Sequence, residues 1–185
     1  MTDLTTVIRD LVTLFERQRL PYAIMGGIAV RAHSIPRPTF DVDFTLAIPR
    51  ERLAALFAAI TDLGYTVPDQ YSQGWVDHVG GMPLVKVRLY LEGRGIDADI
   101  FLAENDFQSE VIHRRIEAEV DGLRLFLVTP EDLILFKLLA SRPRDLIDVE
   151  DILFMQGDLD EAYMRKWAEP LGIAQQLEEI LAARP

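Results

Sequence analysis

Hydrophobic residues recur along the chain at two spacings, one typical of helices and the other of strands. Residues 4–19 carry apolar side chains every three or four positions, which predicts an amphipathic helix. Shorter apolar or alternating stretches predict strands at 22–25, 41–47, 65–67, 84–91, 96–102 and 123–128. Helical spacing recurs at 28–34, 50–63, 107–115 and 130–140, and in two further helices after residue 158. Helices and strands therefore alternate along the first two thirds of the chain, and helices follow.

The segment around the second strand carries the first candidate chemistry. Gly26 and Gly27 follow the strand at 22–25 and open a short helix, so the backbone there can approach a phosphate, which the helix N-terminus attracts. Asp41 and Asp43 begin the next strand, and alternation places both carboxylates on one face. Carboxylate oxygens suit Mg²⁺, which keeps open positions for substrate phosphates. The segment therefore predicts a site for metal and triphosphate.

A second pair of aspartates lies on the strand at 96–102. Asp97 and Asp99 share one face of this strand, while Ile96, Ala98 and Ile100 occupy the other. Both carboxylates face water in the simplest interpretation, and one of them is a third metal ligand in the functional interpretation. The alternation alone does not choose between Asp97 and Asp99.

A lysine stands out in the helix at 130–140. Thr129 as N-cap and Pro130 at the first helical position predict where the helix starts, and nearly all its other residues are apolar. Lys137 either extends its ammonium group to solvent or points it into the site, where it would neutralise phosphate charge. Further along, helical spacing predicts a local ion pair between Arg144 and Asp148.

Composition narrows the class of protein. The 185 residues include 30 acidic and 19 basic side chains, a net charge of −11, which disfavours a long nucleic acid as a tightly held partner. A local basic groove remains open, with Lys86, Arg88, Arg114 and Arg115 as its candidates. There is no cysteine, so disulfides and thiolate chemistry are excluded. Without a visible secretory signal or membrane span, we expect a cytoplasmic protein with no membrane partner.

These motifs together resemble the DNA polymerase beta-like nucleotidyltransferase superfamily. The resemblance rests on Gly26-Gly27, on Asp41-Val42-Asp43-Phe44 and on Asp99-Ile100-Phe101, which matches the pattern of the third carboxylate better than Asp97 does. The stretches from Gly26 to His33 and from Arg37 to Asp43 are similar to small bacterial members related to AbiEii-type toxins. The run from Thr129 to Asp148 resembles the C-terminal motif, and the resemblance covers about residues 20–155.

The resemblance implies an α/β (α+β) nucleotidyltransferase fold, a small mixed β-sheet flanked by helices with a helical C-terminal part. We expect a nucleotidyltransferase core at 1–128 and a helical subdomain at 129–185. The implied enzyme moves a nucleoside monophosphate from a nucleoside triphosphate (NTP) to an acceptor hydroxyl. Its catalytic and metal-binding residues would be Asp41, Asp43 and Asp99, with two Mg²⁺ ions, and its nucleotide-binding residues would be Gly26, Gly27, Arg37 and Lys137.

The resemblance leaves the acceptor and the biological role open. The acceptor is a tRNA end, a protein hydroxyl or a small molecule such as an antibiotic. A toxin–antitoxin component with a cognate antitoxin, an antibiotic-modifying enzyme and a catalytically inactive binding module of the same fold are the alternatives. Nucleotide base preference and oligomeric state are not predicted.

Overall fold

Helices and strands alternate through most of the chain. The computed structural model describes residues 2–91 and 93–183. Its helices are α1 (Thr2–Arg17), α2 (Gly26–His33), α3 (Leu53–Asp62), α4 (Asp69–Ser72), α5 (Asp106–Arg114), α6 (Pro130–Ala140), α7 (Pro143–Met155), α8 (Glu161–Ala168) and α9 (Ala174–Ala182). Its strands are β1 (Tyr22–Met25), β2 (Asp41–Leu46), β3 (Asp77–Val79), β4 (Met82–Leu91), β5 (Arg94–Leu102), β6 (Ile116–Val120) and β7 (Leu123–Leu127).

The strands form one mixed sheet in the order β3-β4-β5-β2-β1-β7-β6. Strand β2 lies between β1, to which it is antiparallel, and β5, to which it is parallel. The remaining parallel pair is β1 with β7, and the other neighbours are antiparallel. Strand β2, which carries Asp41 and Asp43, is therefore adjacent to β5, which carries Asp97 and Asp99, at the centre of the sheet.

Each face of the sheet buries a separate hydrophobic core. On one face, Val42, Phe44 and Leu46 of β2 pack with α1 and α3. On the other face, Met25 of β1 packs in a second core with α2 and with the helices from α5 onwards. The alternation along β2 sends its apolar side chains to the first core and its aspartates to the second face.

The mixed sheet flanked by helices confirms the expected fold class. Helix α6 has the predicted limits, and the hydroxyl of Thr129 accepts a hydrogen bond from the backbone N–H of Asp132. The prediction was wrong at the start of α2, which begins at Gly26 rather than Ile28 because the glycine pair forms the first turn. The strand expected at 65–67 is a single bridge between Thr66 and Arg88.

The C-terminal helices pack directly on the sheet. Leu133 of α6 and Val149 of α7 share the second core with residues of β1 and α2. The division of the chain at residues 128 and 129 stays a prediction. Within residues 2–91 and 93–183, none of the helices is long and apolar enough to cross a membrane.

Candidate active site

Four aspartates face each other across the β2–β5 pair. In the parallel register Asp43 lies beside Asp99, and Asp41 lies beside Asp97. All four belong to the face opposite α1 and α3, because the residues between them are buried in the core on that side. Asp41 is exposed, whereas Asp43 and Asp99 are half-buried. The fold therefore brings the three aspartates predicted as metal ligands to one place on the sheet.

Gly26 and Gly27 have no Cβ atoms that would clash with Asp43 and Thr39. Gly26 has φ +61°, and a Cβ added there would lie 2.7 Å from the carboxyl carbon of Asp43. A Cβ added at Gly27 would lie 2.7 Å from Cβ of Thr39. Thr39 in turn donates a hydrogen bond to Oδ1 of Asp41, at 2.9 Å. Side chains at either glycine would push the aspartate strand away from the N-terminus of α2.

Burial and neighbouring negative charges make Asp43 a weaker acid than a free aspartate. Burial raises the pKa of Asp43 to about 7, and the nearby charges of Asp41 and Asp99 add to the effect. The positive charges of Lys137 and Arg142 oppose it only in part. A bound cation would relieve this repulsion, since it would favour the ionised form of each carboxylate.

Two basic residues of β4 partner the aspartates of β5. Lys86 donates to Oδ2 of Asp99 at 2.5 Å, and Arg88 donates to both oxygens of Asp97 at 2.5 and 2.8 Å. Oδ1 of Asp99 is buried and has no hydrogen-bond partner among residues 2–91 and 93–183. These contacts favour Asp99 over Asp97 as the third carboxylate, and that assignment stays a prediction.

Carboxylate oxygens are the ligands that divalent cations such as Mg²⁺ prefer, but those of the described residues do not surround a common position. In the described part of the chain, no three carboxylates or histidines lie close enough together to hold an ion. Lys86 occupies one oxygen of Asp99, and Thr39 occupies one oxygen of Asp41. The unpartnered oxygen of Asp99 and the converging negative charge at Asp43 are the features that suit a cation.

A cluster of charges lies beside the carboxylates, and its members Lys137, Asp145 and Asp148 are buried. The ammonium group of Lys137 donates to Asp145 and Asp148, both at 2.7 Å. Arg37 binds Asp148 through two hydrogen bonds of 2.6 and 2.7 Å, and Arg142 binds Asp145 at 2.6 Å. We call these five residues the basic cluster, because three cations face two carboxylates.

The basic cluster differs from the local pairing expected from the sequence. Asp148 pairs with Arg37, 111 positions earlier, and with Lys137. The prediction of an Arg144–Asp148 pair was wrong, because Asp148 points into the protein while Arg144 is exposed. Lys137 is buried and hydrogen-bonded rather than extended to solvent, and its contact with nucleotide, like that of Arg37, stays a prediction.

The basic groove considered for a nucleic-acid partner does not assemble. Lys86 and Arg88 are neutralised by aspartates of β5. Arg114 pairs with acidic residues and lies 3.6 Å from the centroid of the Tyr163 ring. Arg114 ends α5 and Arg115 follows it, next to β6, which is the edge of the sheet opposite β3 and β4. The four basic side chains therefore form no continuous surface.

The fold is shared with solved nucleotidyltransferase structures. A nucleotidyltransferase-like protein from Paracoccidioides brasiliensis has a TM-score of 0.54 at 18% identity, over 99% of this chain and 94% of that chain. The antibiotic-resistance factor ANT(2'')-Ia gives 0.54 at 16%, over 96% and 92%, and the lincosamide antibiotic adenylyltransferase LnuA gives 0.50 at 17%, over 79% and 94%. At these identities the likeness shows the fold alone.

The sequence itself establishes the family. Residues 2–170 match the model described as "Nucleotidyltransferase of unknown function (DUF6036)", and the chain belongs to this family. A comparison with curated proteins found no match. The match therefore places the chain in a nucleotidyltransferase family.

Proposed function

We propose that the protein is a metal-dependent nucleotidyltransferase that transfers a nucleoside monophosphate from an NTP to an acceptor hydroxyl and releases pyrophosphate. One observation carries the proposal. The carboxylate of Asp43 lies against Gly26 at the start of α2 and beside Asp99 on the neighbouring strand. Carboxylates for a cation and backbone N–H groups for a phosphate therefore meet at one point.

Each part of the site has a distinct task in this reaction. Asp41, Asp43 and Asp99 would hold the divalent ions, which supply positive charge to the phosphate oxygens and to the attacking hydroxyl. The first N–H groups of α2, at Gly26 and Gly27, would bind the terminal phosphates. The acceptor oxygen then forms a bond to the α-phosphorus while the bond to pyrophosphate breaks.

The basic cluster would stabilise the leaving pyrophosphate. Its three cations, Arg37, Lys137 and Arg142, exceed its two carboxylates by one positive charge. Lys137 and Arg142 also act electrostatically on Asp43, and this supports a role for the cluster near the proposed phosphate site. Preorganised charge of this kind is an effective way to stabilise charge that develops in a transition state.

A small molecule is the acceptor that the charges favour. The net charge of −11 and the neutralised arginines disfavour a tRNA. The fold is shared with the antibiotic-resistance factor ANT(2'')-Ia and with LnuA, a lincosamide antibiotic adenylyltransferase, so a small hydroxyl compound is our proposed acceptor class. Membership of the AbiEii-type group with a cognate antitoxin is a separate proposal, to be tested by growth arrest on expression.

Thermal unfolding with nucleotides tests the proposal without knowledge of the acceptor. We expect one or more of the four NTPs to stabilise the wild type only with Mg²⁺, by about 2.7 kcal/mol at a hundred times its dissociation constant. Asp41→Asn and Asp43→Asn should lose this effect. Asp97→Asn is the matched control on the same face, because both oxygens of Asp97 are held by Arg88.

Two outcomes would contradict the proposal. One is stabilisation of Asp43→Asn equal to that of the wild type, which would remove this carboxylate from the metal site. The other is the absence of stabilisation by any of the four NTPs with Mg²⁺. That second result would favour a binding module that keeps the fold without turnover.

A further inference from the structure

Two consecutive ion pairs across β4 and β5 differ in how they hold an aspartate. Lys86 is in register with Asp99, and Arg88 is in register with Asp97, on the same face of the sheet. The guanidinium of Arg88 bonds both oxygens of Asp97. The ammonium of Lys86 bonds only Oδ2 of Asp99. Both carboxylate oxygens of Asp97 therefore accept hydrogen bonds, whereas only one oxygen of Asp99 does.

The unpartnered oxygen is on the aspartate that is better shielded from water. The side chain of Asp99 is 17% exposed, against 43% for Asp97. Its Oδ1 is buried and finds no hydrogen-bond partner in the described residues. A buried acceptor without a partner is costly, and a cation bound at Oδ1 of Asp99 would remove that cost.

We propose that Lys86 is a displaceable counter-ion, which neutralises Asp99 in the empty site and leaves it when a divalent cation binds. The proposal rests on the proposed function and adds a positioning residue to it. The ammonium of Lys86 supplies positive charge beside Asp99, where Asp43 and Asp41 also approach. Lys86 thereby competes with the metal.

Lysine has the properties that this exchange requires. Its single ammonium group sits on a flexible four-carbon stem, and the side chain of Lys86 is 48% exposed, so it can leave Asp99 for solvent. An arginine at the same position would bond both carboxylate oxygens through its rigid fork, as Arg88 does at Asp97. Lysine and arginine carry the same charge, but Lys86 leaves one oxygen of Asp99 free, and an arginine in its place would leave none.

Binding of Mn²⁺ measures the competition directly. Free Mn²⁺ would be measured by electron paramagnetic resonance at pH 8 for the wild type and four variants of the full chain, one of which is Asp43→Asn. We expect Lys86→Met to bind Mn²⁺ about tenfold more tightly, because the ion no longer has to break the Lys86–Asp99 ion pair. We expect Lys86→Arg to bind it more weakly than the wild type, because both oxygens of Asp99 become occupied. Arg88→Met, the matched control, should match the wild type.

The outcomes separate this proposal from the proposed function. Equal or weaker Mn²⁺ binding by Lys86→Met would overturn the proposal, and so would Lys86→Arg with wild-type affinity. In either case, wild-type binding that is lost in Asp43→Asn would leave the metal site standing. No saturable binding by the wild type or by Lys86→Met would overturn both. Lys86→Gln serves as a second neutral variant if Lys86→Met unfolds at a lower temperature than the wild type.

Discussion

Replacing Asp43 with asparagine should stabilise the metal-free protein while it removes the proposed activity. Burial and the charges of Asp41 and Asp99 make the ionised form of Asp43 unfavourable in the folded state. Asparagine keeps the size of the side chain and cannot ionise. At neutral and alkaline pH the site therefore carries a cost to stability that a bound cation or a proton on Asp43 relieves, as is common at functional sites.

The magnitude follows from the pKa of Asp43, which rises from 3.8 to about 7 on folding. The folded state holds its proton more tightly, so the wild type loses stability as the pH rises from about 4 to about 7. The full shift corresponds to about 4 kcal/mol. Because Asp43 is half-buried and screened by water, we expect about 2 kcal/mol at pH 8. For a chain of this length, that is roughly 4–8 °C in melting temperature.

Thermal unfolding in the presence of a chelator, at pH 4 and pH 8, measures this effect. The gain in melting temperature of Asp43→Asn over the wild type should be small at pH 4 and full at pH 8. Asp97→Asn is the control, since its hydrogen bonds with Arg88 lower the pKa of Asp97 and no such gain is expected. A variant that is less stable than the wild type at pH 8, or a gain independent of pH, would refute the reasoning.

Three further changes test the surroundings of the site by urea or acid unfolding. Gly26→Ala should cost about 1–3 kcal/mol and weaken nucleotide binding, because φ is +61° and Asp43 occupies the space that the new Cβ would need. Gly157→Ala is the control and should do neither, since a Cβ added there has no described side-chain or backbone atom of a distant residue within 4 Å. Lys137→Met should cost about 1–3 kcal/mol, because Asp145 and Asp148 each lose one of their two basic partners and keep an arginine. Burial opposes ionisation of Asp148, but hydrogen bonds from basic neighbours lower its pKa below 3.8, so stability should fall as the pH drops below about 4.

Local patterns predicted most of the elements that build the site. The alternation along β2 and β5 placed Asp41, Asp43 and Asp99 on the correct face, because side-chain direction in a strand depends only on position. Thr129 and Pro130 gave the start of α6, since capping is a local interaction. The resemblance to nucleotidyltransferases gave the fold class, which local patterns alone did not.

Contacts between distant segments were beyond the sequence. The Arg37–Asp148 pair joins the loop before β2 to α7 across 111 positions, and no local pattern announces it. The pairing of Lys86 with Asp99 depends on the register of β4 against β5, which the sequence does not state. The sequence therefore makes Lys86 a candidate only for a basic groove, whereas the structure pairs it with Asp99.

Transfer of a labelled phosphate tests the central claim most directly. The wild type would be incubated with Mg²⁺, a pool of small hydroxyl compounds and the NTP that stabilises it, labelled at either the α- or the γ-phosphate. A nucleotidyltransferase should move the α-label to an acceptor and release the γ-label in pyrophosphate, and Asp43→Asn should do neither. Movement of the γ-label to the acceptor, or equal transfer by Asp43→Asn, would contradict the account.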